Sequence, residues 1–565
     1  MNPTTSAGGS VTIRAEVFNA NAGGTSGAGF ASLNTNRYWS SSITAGAANL
    51  LTSGAIKLTE TSPALVSGTH GIGQSSTIGG TYAYKGGTVS APTIQTSSTL
   101  NPGYGYFVIG TIGPITCPSP ILVVGPGGDF ISLTDASAVL NGLPINCNLI
   151  LELNASYNPA LETFPVTFNN FSYGVGGPFT VTVRPATGST PTVTGASATG
   201  LITLNGADYM IFDGRPGGVG SPLGFSLTNT NVSGTTLSLL NDAQNNSIRY
   251  MDISGSITSG TSGVISIGAA NGSGTGNDNN LFEYNTIHGN VARPVNLLYA
   301  TGTSTRDNDN NTISNNNFHT WGAASATDAC AIEIGNYNHT YTINANSFYQ
   351  PSVQTTASVH FGIQIVGTSS ATSNFTISNN YFGGNAANAS GTWTATTAGV
   401  DYRFCGISYN GSTTGTSLFD ANTIRNFTIA SGTGFQTQYS AFSGIFCQGG
   451  INTIQNNVIG DYASAGNIAL TLTPSTTNIY VHGIYNDGNL GLTITGNTVA
   501  GISITNPASS TQLMNLMGIR ASTSSITTGA TITGNIIGNP AVTNSLQNNT
   551  GNTYTGTTEV FTVGI

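Results

Sequence analysis

Charge is what this sequence has least of. Lys, Arg, Asp and Glu make up 6% of its 565 residues, about a quarter of the share usual in globular proteins. With 12 Lys plus Arg against 21 Asp plus Glu, no basic surface is available to track phosphates, which excludes nucleic acid as a partner. No apolar run reaches the roughly 18 residues that cross a bilayer as a helix. The first residues, MNPTTSAGGS, have neither the basic nor the apolar stretch of a signal peptide. Together with the composition, this makes an internal piece of a longer exported chain the expectation. Cysteine is also sparse: Cys117, Cys147, Cys330, Cys405 and Cys447 show no C-x-x-C pair and no zinc spacing. Cys117 and Cys147 flank the start of a second region, where either a disulfide or two free thiols fit. Cys330, Cys405 and Cys447 fall near inward apolar positions and read as small core residues.

Gly (75 residues) takes the place of charge together with Ser, Thr and Asn, while 38% of the chain is hydrophobic. Apolar and polar residues alternate over short runs, which argues for strands and against disorder. Thr and β-branched residues favour strands; Gly and Asn supply turns.

Eight segments share one spelling: apolar, two variable residues, Asn, one variable residue, apolar. They begin with FEYNTI (282–287) and ISNNNF (313–318) and end with ITGNTV (494–499) and ITGNII (532–537). The asparagines are Asn285, Asn316, Asn346, Asn380, Asn422, Asn457, Asn497 and Asn535, spaced 31, 30, 34, 42, 35, 40 and 38 residues apart. A unit of this length, repeated, predicts a stacked-coil solenoid. A second repeated segment places Gly before Ile at Ile363, Ile407, Ile445, Ile484 and Ile519, with Ala before Ile332. Each coil then reads as a G-I strand, a turn, the Asn-containing strand and a return loop. The Asn column belongs at a bend, its amides bonded from coil to coil.

Before the repeats, residues 1–115 (VTIRAEVF, GAIKLTE, GYFVIGTI) predict a β-sandwich domain with Trp39 in its core. Residues 116–127 are rich in Pro and Gly and read as a linker. From 128 to 565 the pattern predicts a parallel β-helix, opened by a helical cap over 128–145. There Leu133, Ala136, Val139 and Leu140 have helical spacing and Gly142 stops the helix. A solenoid needs such a lid over its open end. The fold class is all-β: an N-terminal β-sandwich followed by a capped right-handed parallel β-helix.

The coil resembles those of right-handed parallel β-helix proteins of the pectate-lyase-like class, over roughly residues 128–550. GPGGDFISLTDASAVLNG, LITLNGADYMIFDGRPGG and GNDNNLFEYNTI resemble large exported surface proteins of Bacteroidota, which commonly carry a type IX sorting domain. The resemblance implies export to the cell surface or medium, and flanking domains of a longer polypeptide.

Function is less constrained. The N-T-D, D-D and R-I-K motifs of polygalacturonase-like enzymes are missing, and His288 and His482 lack the leading Gly of G-H-G. The first expectation is therefore a structural or adhesive module that binds glycans or extracellular proteins without catalysis. Its alternative is a polysaccharide lyase or glycoside hydrolase acting in a groove along the helix, with Asp401 and Arg403 as acid and base. An ice- or mineral-facing surface ranks last, since no Thr-x-Thr row runs in register. Insertions between successive Asn segments predict a loop wall presenting Trp393, Tyr402, Phe435, Tyr439, Tyr462 and Tyr480, with Tyr485 beside it, for stacking on sugars. Coil alignment also places Asp278 over Asp309, with Asp307 and His339 nearby. Two such carboxylates repel unless a cation intervenes, so calcium is the candidate cofactor, against solvated acids that splay apart.

Overall fold

The computed structural model describes residues 1–549 except 2, 53, 98–99, 101–103, 116–119, 269–273, 323–327, 357, 368–372, 398–400, 413–414, 433–440, 474–478, 488–490, 507–513 and 522–528, together with Thr562–Val563. Two compact units are distinguished: Met1–Val193 with Ile202–Ser226, and Thr194–Leu201 with Leu227–Ile565. The division falls inside the solenoid, not at residues 116–127.

In the first unit, Thr12–Phe18, Tyr38–Ala45, Gly105–Ile112, His70–Ser75 and Thr81–Tyr84 form the body of one largely antiparallel sheet. A three-stranded sheet (Thr88–Ser90, Thr93–Gln95, Lys57–Thr59) packs its Leu58 and Ile94 on Ile72, Phe107 and Ile109. Trp39 packs against the same cluster from its partly exposed edge. The expected linker is shorter than its composition suggests. Ile121–Val124 is already a strand, paired in parallel with Leu149–Leu153, which pairs with Val181–Pro185. Cys147 is disulfide-bonded; Cys117 lies outside the described residues.

The predicted cap is a two-turn α-helix, Leu133–Leu140, whose four periodic apolar residues are all buried. Ser132 caps it, accepting from the Asp135 amide at 3.1 Å. The Glu162 carboxylate accepts from the Leu133 and Thr134 amides at 2.7 and 2.8 Å, where the helix dipole favours an anion. Asn141 then imitates a neighbouring strand: its Nδ2 donates to the Thr167 carbonyl and its Oδ1 accepts from the Asn169 amide, both at 2.8 Å. Those bonds occupy the free edge of Val166–Asn169, the first strand of its sheet.

In the second unit three parallel sheets wind around one core as a right-handed β-helix. The first face carries the G-I strands, such as Tyr402–Asn410 and Phe442–Cys447. The Asn segment is not one strand, as expected, but two: Thr312–Ser314 lies on the second face and Asn317–His319 on the third. The residue before each ladder Asn turns the corner. Tyr284, Asn315, Ala345, Asn379, Ala421 and Asn456 all have φ between 53° and 57°, and Gly496 and Gly534 hold the same place in the last two coils. A non-glycine residue there costs roughly 1–2 kcal/mol. The Asn column offsets that cost. Asn346 Nδ2 donates to the Ile313 carbonyl (2.8 Å) and to Asn380 Oδ1 (3.0 Å), and its Oδ1 accepts the Asn316 amide at 2.9 Å.

The G-I pairs have a steric reason. A Cβ at Gly406 would stand 2.6 Å from the Gly444 carbonyl oxygen and 2.8 Å from Ile424 Cδ1. Ile424 is the last apolar residue of an Asn segment, so Gly on the first face makes room for the third. Inside, Phe318, Phe348 and Phe382 stack at 5.1 and 4.6 Å. Burying each such side chain stabilises the fold by roughly 1.5–3 kcal/mol.

Candidate functional site

On the third face, outward residues of successive coils form a column. Ser254, His288, His319 and Tyr349 are in register on Met251–Gly255, Thr286–Gly289, Asn317–His319 and Ser347–Tyr349. Parallel pairing sets neighbouring strands about 4.8 Å apart, and flat rings at that spacing stack. His288 and His319 lie 4.7 Å apart with planes 12° from parallel, and His319 meets Tyr349 at 5.1 Å. At the adjoining corner Tyr250 and Tyr284 stack at 4.9 Å. Tyr284 is 43% exposed, so this part of the face is open to solvent.

The two imidazoles differ in state. His288 Nδ1 faces the Gly289 carbonyl at 2.7 Å and Nε2 faces Asp252 Oδ1 at 3.0 Å. Neither partner can donate when Asp252 is ionised, so both ring nitrogens carry protons. Burial pulls this imidazolium down, but the Asp252 and Gly289 bonds and the Asp252 charge outweigh it and raise its pKa above the ordinary value. For His319, burial and then the His288 charge push the pKa down to about 4. His319 Nδ1 bonds Thr320 Oγ1 at 2.8 Å, which leaves Nε2 without a partner among the described residues. A proton donor and a neutral base therefore stand side by side, the pattern that marks acid–base assignments.

The carboxylates singled out for calcium come together differently. Asp278 Oδ1 accepts the Asp309 amide at 2.8 Å, and Asp278 Oδ2 accepts from Thr275 Oγ1 at 3.0 Å. His339 sits between Asp307 and Asp309, with Nε2 2.9 Å from one carboxylate and Nδ1 3.1 Å from the other. Burial, with Asp278 and Asp307 beside it, outweighs His339 and lifts Asp309 to about 6. Among the described residues no group of three or more His, Cys, Asp or Glu side chains is arranged to hold a metal ion. The His339 side chain lies between Asp307 and Asp309, the place the calcium expectation gave to an ion.

The loop wall is a fourth parallel sheet. Trp393–Thr397, Phe427–Gly432, Ile468–Thr473, Ile502–Thr505 and Leu546–Asn549 pair in order. Its inward side widens the core, which corrects the expected placement of two aromatics. Trp393 and Tyr402 are fully buried, and Trp393 Nε1 donates to Tyr402 Oη at 2.9 Å. Trp393 also packs edge-on to Trp321 and Phe404. Tyr462 is 43% exposed, Tyr480 is half-buried and Tyr485 is buried under Arg520, 4.3 Å from its ring centre. Phe435 and Tyr439 lie outside the described residues. Asp401 and Arg403 face each other in a two-pronged ion pair, which neutralises both. Cys330, Cys405 and Cys447 are buried free thiols.

Sequence reasoning missed the Asp252–His288–His319 column, because the three residues sit in unrelated local contexts and meet only through register. It also missed two further Asn columns. Asn246, Asn280 and Asn311 bond coil to coil at 3.0 and 3.1 Å, and Asn277, Asn308 and Asn338 at 3.0 and 3.1 Å. The runs NDNN (277–280) and NDNN (308–311) were the available signal.

No protein-family profile and no curated protein sequence matches this chain. Among solved structures it is similar to an alginate lyase from Paenibacillus sp., at 13% identity over 75% of this chain and 98% of the other, with a TM-score of 0.28. It is similar to the catalytic domain of a GH87 alpha-1,3-glucanase at 13% identity, 93% and 97% coverage and a TM-score of 0.33. A surface adhesin of Streptococcus pneumoniae aligns at 10% identity, 68% and 86% coverage and a TM-score of 0.26. At these scores the likenesses say nothing about activity, and the fold rests on the sheets themselves.

Proposed function

We propose that this chain is a carbohydrate-active protein that binds a polysaccharide across the third face and cleaves it by elimination. The stacked, oppositely protonated His288–His319 pair carries the reading. Hydrolysis with inversion needs two groups about 6.5–9.5 Å apart on opposite sides of a sugar ring. These rings are 4.7 Å apart and point the same way from one sheet. That geometry suits a base taking a proton and an acid protonating the leaving oxygen on one side of a bound sugar. Asp252 holds His288 charged, and Tyr284 and Tyr349 flank the pair as apolar surfaces for sugar rings. We place the protein outside the cell, as part of a longer exported polypeptide, because a charge-poor, Asn-rich solenoid matches the surface-protein resemblance. No helix among the described residues is long and apolar enough to cross a membrane.

A polysaccharide panel tests this, following unsaturated products by absorbance, new reducing ends and retardation in affinity gels. His319→Gln and His288→Gln should each lower turnover at least about 100-fold while leaving retardation intact. Retardation with no product from any polymer would replace the lyase by the non-catalytic adhesive module, favoured by the self-neutralised Asp401–Arg403 pair. No retardation at all would remove both readings.

A further inference from the structure

Arg293 is a half-buried cation with no carboxylate within ion-pair distance among the described residues. Its Nη1 donates to Gln354 Oε1, to Gln350 Oε1 at 3.2 Å and to the Trp321 carbonyl at 3.4 Å; Nη2 donates to Ser352 Oγ at 2.7 Å. All four acceptors are neutral. A guanidinium has five N–H donors, and Nε donates to none of the described residues. Charges of this kind are ordinarily paired when they leave water. Four other arginines follow that rule: Arg37 pairs with Glu60, Arg184 with Glu152, Arg215 with Asp213 and Arg403 with Asp401.

Beside Arg293 is a 270 Å³ cavity lined by Thr258, Gly322, Gln354, Thr355 and Thr356, among others. This is near the lower end of ligand-sized cavities and is scaled to one sugar ring. A second buried group, His360, lies behind the lining residue Gly322. His360 is fully buried, and neither ring nitrogen has a hydrogen-bond partner among the described residues; burial and the Arg293 charge outweigh the Trp321 carbonyl and lower its pKa. The Cβ that Gly322 lacks would collide with His360 Nε2, so His360 packs directly against this cavity-lining glycine from behind. The positive φ of Gly322, 103°, further restricts the position to glycine.

We infer that this cavity is a binding site for an oxyanion, carboxylate or sulfate, carried on a sugar-sized group, with Arg293 as its charged contact. The oxyanion supplies the counter-charge that Arg293 lacks, in a two-pronged grip, the threonine side chains face the ring hydroxyls, and His360, packed behind Gly322, reports the occupied site without touching the ligand. The site stands independently of the polysaccharide reading. If that reading also holds, Arg293 selects acidic over neutral sugars.

The test titrates the full chain at constant ionic strength with glucuronate, glucose 6-sulfate and glucose, by calorimetry and by NMR of histidine Cε1–H groups. Glucuronate or the sulfate ester should bind at least about tenfold tighter than glucose, each tenfold corresponding to about 1.4 kcal/mol. The comparison of the two acids identifies the anion. The His360 resonance should move while that of His70, in the sandwich, stays. Arg293→Gln should erase the acid preference, and Arg293→Lys should keep part of it. Equal binding of glucose and both acids, no acid binding, or an acid preference that survives Arg293→Gln would overturn the site. Should Arg293→Gln fail to fold, the unshifted His360 resonance in the native protein decides against it, and its movement decides for it. Acid-sugar binding without polymer binding would keep this site and reject the polysaccharide reading; polymer turnover without acid-sugar preference would do the reverse.

Discussion

The His319 ring lies parallel to that of His288 at 4.7 Å, and the two cannot both be charged at ordinary pH. Activity should therefore depend on pH in two limbs. As pH rises through about 4, His319 loses its proton and the base becomes available. Activity should fall again only as His288 deprotonates, above its ordinary value of 6.5 because its pKa is raised. Asp252→Asn removes the charge that helps hold His288 protonated and leaves a neutral amide in its place, so it should move the alkaline limb to lower pH; because Asp252 also raises His319, the acid limb should not move up. Initial rates from pH 3.5 to 9 read both limbs, and an unmoved alkaline limb would disconnect Asp252 from the acid.

The ion pair of Asp401 and Arg403 separates two catalytic assignments. Their side chains are 28% and 12% exposed and bind each other through both prongs. Asp401→Asn combined with Arg403→Gln should leave turnover within about threefold of the parent, since neither group offers a free proton or base. His319→Gln should remove it. Loss of turnover in the double variant, with an unchanged circular dichroism spectrum, would return the chemistry to the fourth sheet.

Acid should weaken the fold through histidines buried in the neutral state. Burial and the Arg293 charge hold His360 down at about 3, and burial with Arg520 does the same to His482. In the unfolded chain both titrate near 6.5. Between pH 6.5 and 3 the unfolded state binds the protons first, so stability drops as pH falls through that window. Above pH 7 neither group contributes. His482→Gln should flatten the Tm profile between pH 6.5 and 3 in calorimetric scans; an unchanged slope would assign the acid loss elsewhere.

Coil length, the corner asparagines and the cap could be read from the sequence, because each follows from a local rule. Asn346 repeats at a fixed offset from flanking apolar residues, and Leu133, Ala136, Val139 and Leu140 repeat at helical spacing. The burial of Trp393 and Tyr402 could not. The segments between Asn380 and Asn422 differ in length and wording, and only pairing of Trp393 with Phe427 shows that they form a sheet. The histidine column was hidden for a related reason. A stacked face is set by register across about 30 residues, whereas spacing rules see only one strand at a time.

The Asn column itself yields the sharpest stability test. Asn346→Ala leaves the Asn316 amide and the Ile313 carbonyl without their side-chain partner in a fully buried corner, which costs on the order of 3 kcal/mol. The loss should be the same at pH 4 and pH 8. Asn346→Asp keeps an acceptor for Asn316 but sets a carboxylate against the Ile313 carbonyl and Asn380 Oδ1, two groups that cannot donate to it. Its folded pKa must therefore rise above the unfolded value of about 3.9, so its deficit should be small below pH 4 and grow as pH climbs through the folded pKa. Asn535, at the far end of the column and partly exposed, should lose less on the same change to Ala, since water can reach the groups it abandons. Because repeat arrays do not unfold as one unit, hydrogen exchange at the flanking coils is the measurement. Equal loss at Asn346 and Asn535, or a pH-independent Asn346→Asp, would show that the side-chain bonds of the column do not hold these corners.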